Sequence, residues 1–225
     1  MPPYSKPPIV EALVQLNFVG GREWEQIVGP LVAEFSKDHP RSAPLERYEA
    51  MSPRWIFSND TGGRVAMSDA VLSVHVVGPY PGWGVFRPRI DDVFRRFASI
   101  AKPGAITQAG IRYIDRILIP AGEDVSRFFK ALPAQLPSQP RGFDDFQMTT
   151  STLEPETGVR STLTLLSTRP QPGAPRDVLY DLNLTLAFAA ESPPDDWSEA
   201  IERLHQRQKD IFEESITDDT RRLFE

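Results

Sequence analysis

The chain contains no cysteine. This absence excludes disulfide bridges, thiolate zinc sites, iron–sulfur clusters and cysteine nucleophiles. It also agrees with a protein of a reducing compartment, and we expect a cytoplasmic location.

Long apolar runs are missing as well. No stretch approaches the roughly 18–20 apolar residues that cross a bilayer. The first residues, "MPPYSKPPIVEALVQLNF", lack the basic start, apolar stretch and small-residue cleavage site of a secretory signal. We therefore predict no membrane partner.

Basic charge is in short supply, because 25 Lys and Arg stand against 31 Asp and Glu. A protein that binds duplex DNA through its phosphates usually has a basic surface. The net charge of −6 therefore argues against nucleic acid as a partner. Arginines clustered in the fold could still form a local basic surface.

Motifs for catalysis or cofactor binding are scarce. There are only three histidines, His39, His75 and His205, and no H-x-x-x-H or H-E-x-x-H spacing occurs. The sequence has no phosphate-binding G-x-x-x-x-G-K-[ST] and no nucleophile elbow G-x-S-x-G, and "GWGVFR" at 82–87 lacks the third glycine of a dinucleotide loop. We expect no metal and no cofactor.

Two segments alternate well enough to predict half-buried strands. In residues 9–18, Val10 and Val14 belong to the apolar side. In residues 106–119, Ile111 and Tyr113 share one side with Asp115, whereas Arg112 and Arg116 face the other way. We predict that both strands lie in one sheet, with the apolar sides under the helices.

The remaining elements follow from periodicity and breakers. We predict a helix in 20–37 with a kink or break near Gly29, because Pro30 cannot donate inside a helix. A second helix covers 83–101, with Pro88 in its first regular turn, and a short helix covers 124–136. Further strands are predicted over 45–59, over 61–77 with a division at Ser68–Asp69, and over 144–154, 159–168 and 178–188.

The C-terminal region predicts a long amphipathic helix that opens at "SPPDDW". Its stripe contains Trp197, Ile201, Leu204, Gln208, Ile211 and Phe212. Thr217 predicts the cap of a second helix. We expect the final apolar residues, Leu223 and Phe224, to contribute to a dimer or partner contact.

The order of elements is β-α-β-β(-β)-α followed by β-α-β-β-β-α. We predict an α+β fold, an antiparallel sheet with helices on one face, in a single domain of 1–225. A tandem pseudo-repeat would have halves of about 1–105 and 106–225.

Candidate site residues fall into two groups. The polar open face of the sheet would carry Glu11, His75, Arg112 and Arg116. Tyr80 and Trp83 could form an aromatic lip, and His205 lies at the edge of the last helix's apolar stripe. Asp115 does not fit this scheme; near a strand end it could meet a loop amide, a helix N-terminus or an arginine. An ordinary solvated sheet face, with Glu11 and Arg112 as cross-strand partners, explains much of the same pattern.

Three short motifs carry a family resemblance: "KPPIVEALVQLNF", "AGIRYIDRI" and "LHQRQKDIFEESITDDTRRLFE". Together they resemble a sporadically distributed prokaryotic family of uncharacterised proteins. The resemblance spans essentially the whole chain, although that family usually has Asn at the position of Asp115. It implies no established activity, and its patchy distribution suggests mobile or defence-linked genes.

Our first hypothesis is a non-enzymatic binding or interaction protein, with a protein partner or a second copy of the chain. The alternative is a nucleic-acid-binding module that uses the open sheet face. A third hypothesis is a hydrolase or nuclease that uses Glu11, His75 and Arg112.

Overall fold

The computed structural model describes residues 4–46, 52–132, 143–189 and 197–225. The first half contains β1 (Ile9–Val19), α1 (Trp24–Phe35), β2 (Arg41–Pro44), β3 (Trp55–Ser58), β4 (Gly63–Met67), β5 (Val71–Val77) and α2 (Trp83–Ala101). The second half contains β6 (Ala105–Ile119), a 3-10 turn (Val125–Arg127), β7 (Phe146–Leu153), β8 (Val159–Ser167), β9 (Arg176–Ala187), α3 (Trp197–Ser215) and α4 (Asp218–Arg222).

All nine strands form one antiparallel sheet in the order β2-β3-β4-β5-β1-β6-β9-β8-β7. The first half supplies five consecutive strands and the second half supplies the other four, so the halves meet where β1 pairs with β6. This confirms the predicted α+β fold with an antiparallel sheet. None of the helices in the described ranges is long and apolar enough to cross a membrane.

The β1–β6 pairing confirms the predicted phase of the central strands. Ala12 lies opposite Tyr113 and Val14 opposite Ile111, and all four are buried. Arg112 lies on the other face, opposite Leu13.

Val10 is the exception to this phase. The register shifts between Ile9 and Glu11, so Ile9 lies opposite Asp115 and Val10 is the extra residue of a bulge. Ile9 packs against the core, while Val10 is only half-buried and its carbonyl accepts a hydrogen bond from the Gly78 N–H. The prediction that Val10 lies under the helices is therefore wrong, since one extra residue reverses the side that the strand shows.

The three long helices pack on one face of the sheet. Their buried residues are Ile27, Leu31 and Phe35 in α1, Phe86, Ile90, Val93 and Phe97 in α2, and Ala200, Ile201 and Leu204 in α3. Helix α1 runs through Pro30, so of the predicted kink or break the break is excluded and the kink stays a prediction; Gly29 has no Cβ for the proline ring to clash with. Pro88 likewise lies well inside α2 rather than in its first turn.

The outer parts of both halves depart from the prediction. Only Trp55–Ser58 of the predicted strand over 45–59 pairs, and residues 47–51 lie outside the described ranges. The short, fully exposed strand β2 was not predicted. The division of 61–77 is confirmed, because the Ser68 Oγ accepts the N–H of Ala70 in a turn.

The helix predicted over 124–136 is wrong as far as Leu132, and its remainder lies outside the described residues. A single 3-10 turn stands there instead. The chain then pairs with the end of α3, where Phe129 bridges Ile216 and the Lys130 N–H donates to the Ser215 carbonyl. These bonds use backbone groups that a helix would need for itself.

The C-terminal turn packs onto its own chain. Thr217 caps α4 as predicted, since its side chain accepts the Thr220 N–H. Phe224 is 4% exposed and contacts the rings of Tyr4 and Phe212. Phe224 is therefore part of the core, whereas Leu223 is half-buried, and a dimer or partner contact of this final turn stays a prediction.

We expect Phe224→Ala to lower the free energy of unfolding by about 3 kcal/mol, because a buried ring is lost. Urea denaturation measures this loss. Leu153→Ala is the matched control; Leu153 is 53% exposed, so its loss should be within about 0.5 kcal/mol. An unchanged unfolding curve for Phe224→Ala, with an altered mass by light scattering, would restore the interface role.

Candidate functional site

A cavity of about 280 Å³ lies between the sheet and two of its helices. We call it the helix-covered cavity, and its central residues are Tyr80, Trp83, Tyr113, Asp115, His205 and Gln208. Three of the predicted site residues, Tyr80, Trp83 and His205, are thus brought together. The other four, Glu11, His75, Arg112 and Arg116, lie on the opposite face of the sheet.

Regular geometry positions these side chains. Tyr113 and Asp115 are two residues apart on β6, so both face the helices. His205 and Gln208 are three residues apart on α3 and lie on one side of it. Trp83 is the first residue of α2, immediately after the turn that holds Tyr80.

Hydrogen bonds and ring stacking hold the cavity walls in place. The Tyr113 hydroxyl lies 3.0 Å from the Tyr80 hydroxyl and 3.0 Å from Nδ1 of His205. The Trp83 ring stacks on His205 with centroids 4.0 Å apart, and its Nε1–H donates to Glu202 at 2.9 Å. Burial lowers the pKa of His205 to about 4, so the imidazole is neutral at pH 7.

Asp115 is the group without a partner. It is 3% exposed, and no described residue forms a hydrogen bond or ion pair with its side chain. Burial, together with the charge of Asp181, raises the pKa of this carboxyl to about 8. Among the described residues, none of the expected partners bonds to it: Arg112 and Arg116 project from the other face, and the start of α2 lines the same cavity without a hydrogen bond to Asp115.

Gln208 is the candidate site residue that the sequence analysis did not single out. Its Nε2 donates to the Leu182 carbonyl at 3.2 Å, and its Oε1 is buried without a protein partner among the described residues. The sequence contained an indication of this, since a glutamine within the apolar stripe of a helix is a polar side chain at a buried position.

The open face of the sheet carries a second polar cluster. Nδ1 of His75 lies 2.8 Å from Glu11, and Nε2 of the same ring lies 3.0 Å from the Ser73 hydroxyl. This serine–histidine–carboxylate chain has the connectivity of a nucleophile with its base. However, Ser73 is 2% exposed, and β5 is paired on both sides, so the ladders occupy the N–H groups that an oxyanion would need.

The two predicted arginines of this face are paired. Arg112 donates from Nε and Nη2 to Asp181 at 2.7 and 2.5 Å, and Arg116 donates from Nε to Asp177 at 2.7 Å. Beside them, Gln15, Asn17 and Gln108 hydrogen-bond to one another around a depression of about 140 Å³. Across the described part of the chain, no three His, Asp or Glu side chains are grouped to hold a metal ion.

Comparison with known proteins adds no identity. No family model matches the chain, and no curated protein matches it.

We expect Asp115→Asn to abolish a loss of stability that the wild type shows between pH 6.5 and pH 8.5. An unfolded aspartate has a pKa of about 3.9, whereas in the folded chain the value is about 8. The folded state therefore keeps a proton that the unfolded state releases. As pH rises over this range, the free energy of unfolding should fall by about 2 kcal/mol.

Between pH 6.5 and pH 8.5, the effect of Asp115 on stability can be distinguished from that of His205. The depressed pKa of His205 costs stability only as pH falls below about 6.5, which is the opposite direction. Denaturation curves at several pH values measure both slopes. Asp60→Asn is the control, because this exposed carboxylate lies at the far edge of the sheet. Parallel pH profiles for Asp115→Asn and the wild type would contradict the assignment.

We expect no binding to duplex DNA at physiological salt, because the open-face arginines are already neutralised. Fluorescence anisotropy measures this. The double variant Asp177→Asn, Asp181→Asn frees both arginines and should bind more tightly than the wild type. Sub-micromolar binding by the wild type that weakens steeply with salt would instead support the nucleic-acid hypothesis.

Proposed function

We propose that this protein is a non-enzymatic binding protein whose ligand is a small molecule held in the helix-covered cavity. The observation that carries the proposal is Asp115, a carboxyl that is 3% exposed and has no partner in the described chain, at the wall of an aromatic cavity. Ligand pockets are mostly apolar and contain a few placed polar groups. A carboxyl with a displaced pKa in such a cleft is typical of a functional site.

The size of the cavity favours a small ligand over a macromolecule. Its volume of about 280 Å³ is at the lower end of the ~300–1,000 Å³ of ligand pockets. Large exposed hydrophobic side chains in the described ranges are spread over five elements: Val19, Val85, Leu118, Leu153 and Leu166. Single exposed hydrophobics do not make a partner surface, and a protein partner or homo-oligomer stays a prediction.

The hydrogen bonds and the burial of the titratable groups in the cavity favour binding over catalysis. The hydroxyl of Tyr113 is engaged with Tyr80 and His205, and burial raises the pKa of Tyr80 to about 12. These groups keep their protons at pH 7 and present fixed hydrogen bonds. The hydrolase hypothesis rests on the open face, where Ser73 is covered. The family resemblance and a link to mobile or defence genes also stay predictions.

The proposal is tested by a titration that reports on Trp83. We expect small aromatic probes to shift its indole N–H signal in nitrogen-15 NMR spectra. The signals of Trp24, Trp55 and Trp197 are internal controls, because these residues do not line the cavity.

A filled cavity supplies the second control. Ile9→Phe places a larger side chain at the wall, and it should abolish the shift. Leu118→Phe adds the same ring at a site that is 51% exposed and should leave the shift intact. The proposal fails if charged and uncharged probes alike leave the Trp83 signal in place.

A further inference from the structure

The helix-covered cavity contains two buried polar side chains whose oxygens have no partner in the described chain. Asp115 and Gln208 are 3% and 2% exposed, and both line it. The bond from Gln208 Nε2 to the Leu182 carbonyl fixes which end of the amide is free, so Oε1 is left to accept. An ionised carboxylate can only accept as well. When Asp115 is ionised, a ligand that matches this pair must donate hydrogen bonds.

The walls attract positive charge. Tyr4, Trp83 and Phe212 line the cavity with aromatic rings, and cations are drawn to ring faces. His205 contributes no charge at pH 7, because burial lowers its pKa to about 4. Lys209 also borders the cavity, but its residue is exposed, whereas Asp115 is buried.

We propose that the ligand is a protonated organic amine, whose ammonium group donates to the Asp115 carboxylate and to Oε1 of Gln208 while its apolar part packs on the rings. This inference rests on the proposed function and adds the chemical class of the ligand. A neutral donor would recover only a hydrogen bond, whereas a cation also offsets the cost of a buried carboxylate. An anion would add a second negative charge to the same site.

Binding of an amine is coupled to a proton. The free protein holds Asp115 protonated at pH 7, since its pKa is about 8, and the ammonium group requires the ionised form. Association should therefore release about one proton at pH 7. Affinity should rise about tenfold from pH 6 to pH 7 and about fivefold from pH 7 to pH 8, for an amine that stays protonated.

Other charged groups face Asp115 from the surrounding elements. The phenols of Tyr4, Tyr80, Tyr113 and Tyr180 have pKa values raised by burial and keep their protons in this range. His205, Lys209 and Glu213 from α3 also line the cavity, and Glu202 of α3 binds Trp83. Asp181 of β9 acts on Asp115 by its charge from the open face of the sheet. All of them are unchanged in Asp115→Asn, so the difference between the two proteins isolates Asp115.

Isothermal titration calorimetry with three probes of similar size tests the inference. We expect 2-phenylethylamine to bind, 2-phenylethanol to bind at least tenfold more weakly, and 3-phenylpropionate to show no binding. Titrations of the amine in phosphate and in HEPES, whose ionisation enthalpies differ, measure the released proton; neither buffer is a primary amine.

The matched variant is Asp115→Asn, which keeps the shape of the side chain and loses its charge. It should bind the amine at least tenfold more weakly, show no preference for the amine over the alcohol, and release no proton. Asp60→Asn should behave as the wild type. Circular dichroism confirms that each variant is folded before titration.

The outcomes separate the two proposals. If the alcohol or the carboxylate binds as tightly as the amine and shifts the Trp83 signal, the amine assignment is overturned and the binding function stands. Amine binding that survives in Asp115→Asn with an unchanged proton count also overturns the assignment. If no probe of any charge binds the wild type, both proposals fail together.

Discussion

The antiparallel pairing of β1 with β6 is the constraint on which the rest of the structure depends. It joins the five strands of the first half to the four of the second, and it sets which side of the whole sheet is covered. A slip of one residue would move Arg112 under the helices and Tyr113 into solvent. This register holds over the seven pairs from Glu11–Ile114 to Asn17–Gln108, and it changes at Val10, next to the cavity.

The prolines before β1 explain where the strand begins. Pro7 and Pro8 have no N–H to give to a ladder, so β1 begins at Ile9, and the Arg116 N–H donates to the Pro8 carbonyl at 2.9 Å. Pro7, Pro8 and Ile9 then form part of the cavity wall. The chain thus leaves the sheet beside Asp115, and the space between strand and helix stays open there.

Sequence reasoning reached the fold through the segments whose pattern is strongest. The alternation in β1, β6 and β9 and the helical stripe of α2 predict their burial, because packing on one face imposes that period. The predictions were wrong where tertiary contacts determine the local structure. The Phe129–Ile216 bridge replaces the helix predicted there, and the sequence around Val10 does not indicate a bulge. For the site, Tyr80, Trp83 and His205 were identified as separate features. These three residues lie close to Asp115 because α3 packs against β6. The sequence of one segment alone does not predict this packing.

The buried carboxyl of Asp115 is the strongest argument that the cavity has a use. Its neighbours on the same face, Ile111, Ile117 and Ile119, are fully buried and apolar, so an apolar residue would continue the pattern. Replacing a buried charged group by an apolar one is often neutral or stabilising. A buried carboxyl without a partner in the described chain lowers the stability of the free protein as pH rises toward its pKa of about 8. Departures of this kind from local consistency are expected where a protein binds or reacts. Because a ligand that donates to Asp115 would remove the cost only in the bound state, binding and stability would be linked through this one side chain.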